Sequence, residues 1–161
     1  MNVGSRLCAL GLFALGLPAS AQAAGVEGTW RSQDGEGIVE IAPCASAADQ
    51  RCGKLVWMKK PLDDEGKPQR DVKNSDPALA RRPVCGLEIL SGLKPDGAGG
   101  YGAGKIYDPE EGSTYTGAIK LDGEALKVTG SIETFIKPIS DSETWTRVNE
   151  PFERCSAAAK K

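Results

Sequence analysis

Ser113-Thr114-Tyr115-Thr116-Gly117-Ala118-Ile119-Lys120-Leu121-Asp122-Gly123-Glu124-Ala125-Leu126-Lys127-Val128-Thr129-Gly130-Ser131-Ile132 reads as two β-strands around a tight turn. Tyr115, Gly117, Ile119 and Leu121 alternate with Thr114, Thr116, Ala118 and Lys120. Beyond Asp122-Gly123, Leu126, Val128 and Gly130 alternate with Lys127 and Thr129. A period of two puts one face of each run against a core and the other toward water. Asp-Gly between two such runs is the strongest short-range hairpin signal.

The same punctuation extends in both directions. Strands are expected at 26–33, 37–43 and 53–58, then at 86–93 and 100–107 before the hairpin, and at 143–148 after it, with 134–142 irregular. Turns at Asp34-Gly35, Lys94-Pro95-Asp96-Gly97 and Asp108-Pro109-Glu110-Glu111-Gly112 separate them. Residues 60–82 break the pattern with a long polar loop carrying Pro61, Gly66, Pro68 and Pro77, in which Asp76-Pro77-Ala78-Leu79-Ala80 can form one helical turn capped by Asp76. The stretch 74–90, closing that loop and opening the next strand, is the hinge between the two halves. Eight strands joined mostly by short turns make an antiparallel meander. The fold expected is therefore all-β, an eight-stranded antiparallel up-and-down barrel with one long polar loop. Such a barrel has no free edges, and its interior is either filled by side chains or holds one small ligand. A two-sheet sandwich is the alternative; the many glycines favour the barrel, whose coiled strands need sharp bends.

The ends of the chain bear on compartment. Residues 1–23 carry Arg6, an apolar run from Leu7 to Leu17, Pro18 and then Ala21-Gln22-Ala23. This is the pattern of a cleaved secretory signal peptide, too short for a bilayer span of roughly 20 residues. Cys8 would leave with it. One mature domain, 24–161, with a C-terminal tail 149–161, is expected in the periplasm. Its four cysteines, Cys44, Cys52, Cys85 and Cys155, are an even number in an exported chain, which favours disulfides. Three pairings are possible; the expected one joins Cys44 to Cys52 across a hairpin and leaves Cys85 to Cys155. The chain-entropy model gives these rings roughly 2.6 and 4.4 kcal/mol.

Composition removes several chemistries. The chain has 20 basic and 22 acidic residues and no histidine. Without a basic stripe nucleic acid is not an expected partner, and without imidazole neither a Ser-His couple nor a histidine metal site can form. No EF-hand or P-loop pattern occurs, so neither metal nor cofactor is expected. Glu88 interrupts the apolar run Leu87-Glu88-Ile89-Leu90 and shares a period-two face with Leu90. It either enters the barrel beside a cation such as Arg82 or Lys105, or faces water on the outer side.

Gly28-Thr29-Trp30 on the first strand and Arg147 on the last resemble the lipocalin and fatty-acid-binding-protein pattern, in which a first-strand Trp closes one end of the barrel beneath a late Arg. A wider set is similar to a bacterial exported family known as domain of unknown function 2147: Val39-Glu40-Ile41, Gly53-Lys54-Leu55-Val56-Trp57, Asp76-Pro77-Ala78-Leu79, Arg82-Pro83, Gly86-Leu87-Glu88-Ile89-Leu90, Gly104-Lys105-Ile106-Tyr107-Asp108-Pro109, Gly112-Ser113-Thr114-Tyr115 and Trp145-Thr146-Arg147-Val148. The resemblance implies a lipocalin-like (calycin-like) barrel in the cell envelope and no established reaction. Residues 131–140 depart from it, being longer and more polar than a compact glycine-rich link. On this reading the protein binds a small, mainly apolar molecule in the barrel, with loop 60–82 over the mouth and Trp57, Arg82, Glu88 and Tyr107 contacting the ligand. The alternatives are a non-catalytic module with a filled barrel that docks another envelope protein, and, last, an enzyme using paired carboxylates.

Overall fold

The computed structural model describes residues 25–155, so the signal peptide, Cys8 and the terminal Lys160-Lys161 lie outside the described residues. Eight strands run β1 (Gly28–Arg31), β2 (Gly37–Cys44), β3 (Ala47–Met58), β4 (Glu88–Pro95), β5 (Gly100–Asp108), β6 (Ser113–Asp122), β7 (Ala125–Ile132) and β8 (Ile139–Arg147). Each pairs antiparallel with the next, and β8 returns to β1 through Trp30↔Arg147 and Arg31↔Thr146, closing the barrel. Between β6 and β7 the turn is Gly123-Glu124, one residue later than Asp-Gly implies. Gly123, at φ 61°, takes the first central position that a type II′ turn reserves for glycine.

Three strands differ in extent from the sequence pattern. β1 is shorter than 26–33. β3 starts at Ala47, because the β2–β3 ladder continues down to Cys44↔Ala47 and leaves only Ala45-Ser46 as the turn. The Cys44–Cys52 disulfide thus joins two paired strands, where a long loop was expected. β8 starts at Ile139, since Ile139, Ser140, Asp141 and Ser142 all pair with β7. The segment read as irregular is largely the upper part of a hairpin.

Two bulges decide which side chains face inward. Val39 pairs with Leu55 and Ile38 with Trp57, so Val56 is extra and both Val56 and Trp57 reach the outer face. Likewise Gly53 pairs with Leu90 and Lys54 with Glu88, which makes Ile89 extra. The bulge turns Ile89 and Leu90 inward together and sends Glu88 outward, where it is exposed. The outer cluster of Ile38, Val56, Trp57, Val148 and Phe152 is covered by the C-terminal tail. The tail is held there by the Cys85–Cys155 disulfide, by the Cys155 amide on the Val56 carbonyl (2.9 Å) and by a two-pronged Arg154–Glu40 pair (2.8 and 2.6 Å).

Inside, the closed end is packed solid. Trp30, Ile41, Leu93, Ile119 and Leu126 are essentially inaccessible. Arg147 lies 4.0 Å from the Trp30 ring centroid and donates to the carbonyls of Glu27 (2.9 Å) and Gly25 (2.6 Å), while the indole Nε1 donates to Val26 (2.8 Å). The guanidinium satisfies carbonyls that end there and stacks on the ring, an arrangement contributing about 0.5–2 kcal/mol from the cation–π contact.

Candidate functional site

At the opposite end the side chains stop filling the lumen. A cavity of about 930 Å³ opens there, above a wall of Val39, Leu55, Ile89, Ile106, Val128 and Trp145. Period two explains the lining. Trp145, Glu143 and Asp141 share one face of β8, and opposite them on β7 stand Leu126, Val128 and Gly130. Leu126 is core, Val128 is wall, and Gly130 leaves space.

The connection between β3 and β4 forms one side of this cavity through Gln69, Arg70, Val72, Lys73 and Val84. It is almost without regular structure, having two isolated bridges, Leu62↔Pro68 and Arg70↔Pro83, and a 3-10 turn at Leu79–Arg81. Asp76 does not cap that turn, whose N-cap is Ala78 without a side-chain hydrogen bond; its carboxylate accepts from the Ala78 amide at 2.8 Å just ahead of it. What fixes the loop is Asp71, the one charged side chain among the described residues that is fully buried. Its carboxylate accepts from the Tyr107 hydroxyl (2.5 Å), from Asn74 Nδ2 (3.0 Å) and from Arg82 through Nε (2.9 Å) and Nη2 (2.8 Å). A buried carboxylate is tolerable when both its oxygens accept hydrogen bonds and a cation is adjacent, as here. Burial, and then the bond to Asp71, pushes the Tyr107 hydroxyl above its ordinary range. A second tether is steric. Gly112, at φ 72° in the β5–β6 turn, sits so close to the loop that a Cβ would lie 2.1 Å from the Lys73 carbonyl oxygen.

Of the four residues expected to contact ligand, Tyr107 alone lines the cavity. Arg82 stands behind it, its guanidinium 5.3 Å from the Tyr107 ring and committed to Asp71 instead of Glu88. The bulges at Val56 and Ile89 correct Trp57 to the outer surface and give Glu88 the outward of its two expected faces, away from the ligand. Trp57 lies under Arg31, 5.2 Å from its ring, in the cluster beneath the tail. Asp71 and Asn74, which organise the loop, carried no signal beyond an Asp and an Asn three residues apart in a polar stretch. Val128, Gly130, Glu143 and Trp145 could have been found by following the period of the last hairpin inward.

The mouth is acidic. Asp34 and Glu36 come from the β1–β2 turn, Asp108 and Glu110 from the β5–β6 turn, and Asp141 and Glu143 from β8. Glu143 accepts from the Trp145 indole at 2.7 Å. Partial burial first, and then the charges of Asp108, Asp34 and Glu36, hold the Glu110 carboxyl above the ordinary carboxylate range. Among the described residues no group of histidine, cysteine or carboxylate side chains is arranged to hold a metal ion, and no helix is long and apolar enough to cross a membrane. At the same end Phe135 and Ile136 stand fully exposed at the tip of the β7–β8 hairpin, with Ile132 and Ile139 half exposed below them.

Residues 28–147 match a family described as "Uncharacterized protein conserved in bacteria (DUF2147)". Among solved structures the chain is similar to protein HP1028 from Helicobacter pylori, described as belonging to the lipocalin family. The two are 22% identical over 80% of this chain and 86% of that one, with a TM-score of 0.65. At that identity the likeness shows a shared lipocalin-like fold. No curated protein matches the chain.

Proposed function

The chain belongs to the bacterial family DUF2147, and from that premise we propose that it is an exported, non-enzymatic binding protein that holds a small, mainly apolar molecule in the open half of its barrel. The observation that carries this is the cavity of about 930 Å³, near the upper end of the roughly 300–1,000 Å³ typical of ligand sites. It has an apolar lower wall beneath a charged rim, the composition of a site that holds by burial and orients by its rim. Two disulfides fit an oxidising compartment, and the signal-like residues 1–23 fit the periplasm. The carboxylates favour binding over acid–base catalysis. Glu110, the one held high, is exposed at the rim, away from the apolar wall where a substrate would be buried.

The test is a titration with the neutral apolar dye Nile red. Saturable binding by the wild-type chain is expected, with its loss in Gly130→Trp, which places an indole in the lumen from a backbone position where a Cβ meets only an ordinary 3.5 Å contact with Tyr115. Equal binding by both chains, with both folded, would overturn the proposal. A second reading, docking of another envelope protein, is favoured by the exposed Phe135 and Ile136 beside the mouth; loss of a partner in Phe135→Ser, with dye binding intact, would support it.

A further inference from the structure

The cavity is two-faced. Its lower wall of Val39, Leu55, Ile89, Ile106, Val128 and Trp145 carries no charge, whereas seven carboxylates and only three cations, Lys60, Arg70 and Lys73, line it in all. The excess is local, since the whole chain is nearly balanced at 20 bases and 22 acids. It is also sided. The three cations sit on the loop, where the Arg70 guanidinium is already engaged by the Arg81 carbonyl, and the acids sit on the barrel rim and on the inward face of β8. Of Asp34, Glu36, Asp108, Glu110, Asp141 and Glu143, only Glu36 takes part in an ion pair among the described residues, with Lys59. Glu143 accepts from the Trp145 indole, a neutral donor that orients the carboxylate and leaves its charge in place. Glu110, raised first by partial burial and then by its acidic neighbours, lies within the same crowding. A recess with apolar walls and an excess of one sign of charge concentrates the opposite sign. The rings of Tyr107 and Tyr115, which also line the cavity, present faces that attract cations.

We propose that the ligand of this cavity is an amphipathic cation, with an apolar body against Trp145, Val128 and Ile106 and an amine or quaternary ammonium head level with Asp141, Glu143 and Asp108. The inference rests on the container role proposed above and gives the ligand its polarity. It also excludes a class: a fatty-acid carboxylate seated tail-down would hold its charge among these acids.

Calorimetric titration of the full chain, disulfides intact, with chain-matched decylammonium, decanol and decanoate below their aggregation limits tests it. Decylammonium is expected to bind about tenfold tighter than decanol, with decanoate weakest, and the spread should narrow as salt rises from about 20 to about 500 mM. In the double variant Asp141→Asn with Glu143→Gln, two exposed positions, the ratio of decylammonium to decanol affinity is expected to fall toward one. Equal affinity for the three probes, or decanoate tightest, would overturn the cation inference and leave the container standing. Persistence of the preference in the double variant would overturn the placement of the head. Binding of none of the three would overturn both.

Discussion

The two ends of this barrel are built from the same strands and do opposite things. At the closed end Trp30, Leu93, Ile119 and Leu126 fill the lumen, and Arg147 ties the loose carbonyls just ahead of the first strand. At the open end the lumen stays empty above Val128 and Trp145, and order comes from polar groups, with Asp71 locking a long loop to Tyr107. The difference teaches how a small β-protein can be stable and hollow together. Close packing near one end carries stability, which frees the other end from having to be filled.

The separation is testable, and the largest effect belongs to the closed end. Trp30→Ala removes a fully buried indole and the ring under Arg147, and is expected to cost about 3–5 kcal/mol in urea unfolding with the Nile red affinity of the folded fraction unchanged. A matching loss of affinity would mean that the two ends are coupled. Asp71→Ala should show the reverse balance. It leaves a partly exposed Arg82 without its carboxylate and a part-buried Tyr107 hydroxyl without its acceptor, costing about 2 kcal/mol after allowance for solvent at the Arg. The dye should leave faster, and amide exchange should rise in 69–84 before it rises in the strands. Gly112→Ala combines a left-handed backbone with a clash against Lys73 and should cost about 1–3 kcal/mol, again with loosening confined to the loop.

The smallest effect has a sign that only the acidic mouth predicts. Glu110 has its folded pKa raised, so it contributes stability that is fully present below its unfolded pKa and lost as pH rises through the folded value. Glu110→Gln should therefore stabilise the protein near pH 7, by a few tenths of a kcal/mol given its exposure, and the gain should vanish below about pH 4. A destabilised variant at pH 7 would mean that Glu110 is paired favourably, against the crowding described.

The strands, their order and the closing Trp30–Arg147 pair were legible because they follow from period two, turn residues and one short motif. The faces of Trp57 and Glu88 were not. A single extra residue at Val56 or Ile89 reverses the side chains that follow it until the next irregularity, and nothing in the local composition marks the insertion. Asp71 was illegible for a different reason: its partners Arg82 and Tyr107 lie 11 and 36 residues away, and a loop without periodicity gives no register from which to infer them. Asp141 was hidden because 134–142 lacks apolar alternation, although it shares the face of Glu143 and Trp145 once β8 is traced upward.

The most direct measurement is native mass spectrometry of the chain purified from its producing cells without reductant, beside its Gly130→Trp variant. A hollow barrel predicts that the wild type carries a discrete added mass of about a few hundred daltons, released on denaturation and absent from the variant. Indistinguishable spectra, with both disulfides formed in each, would contradict it.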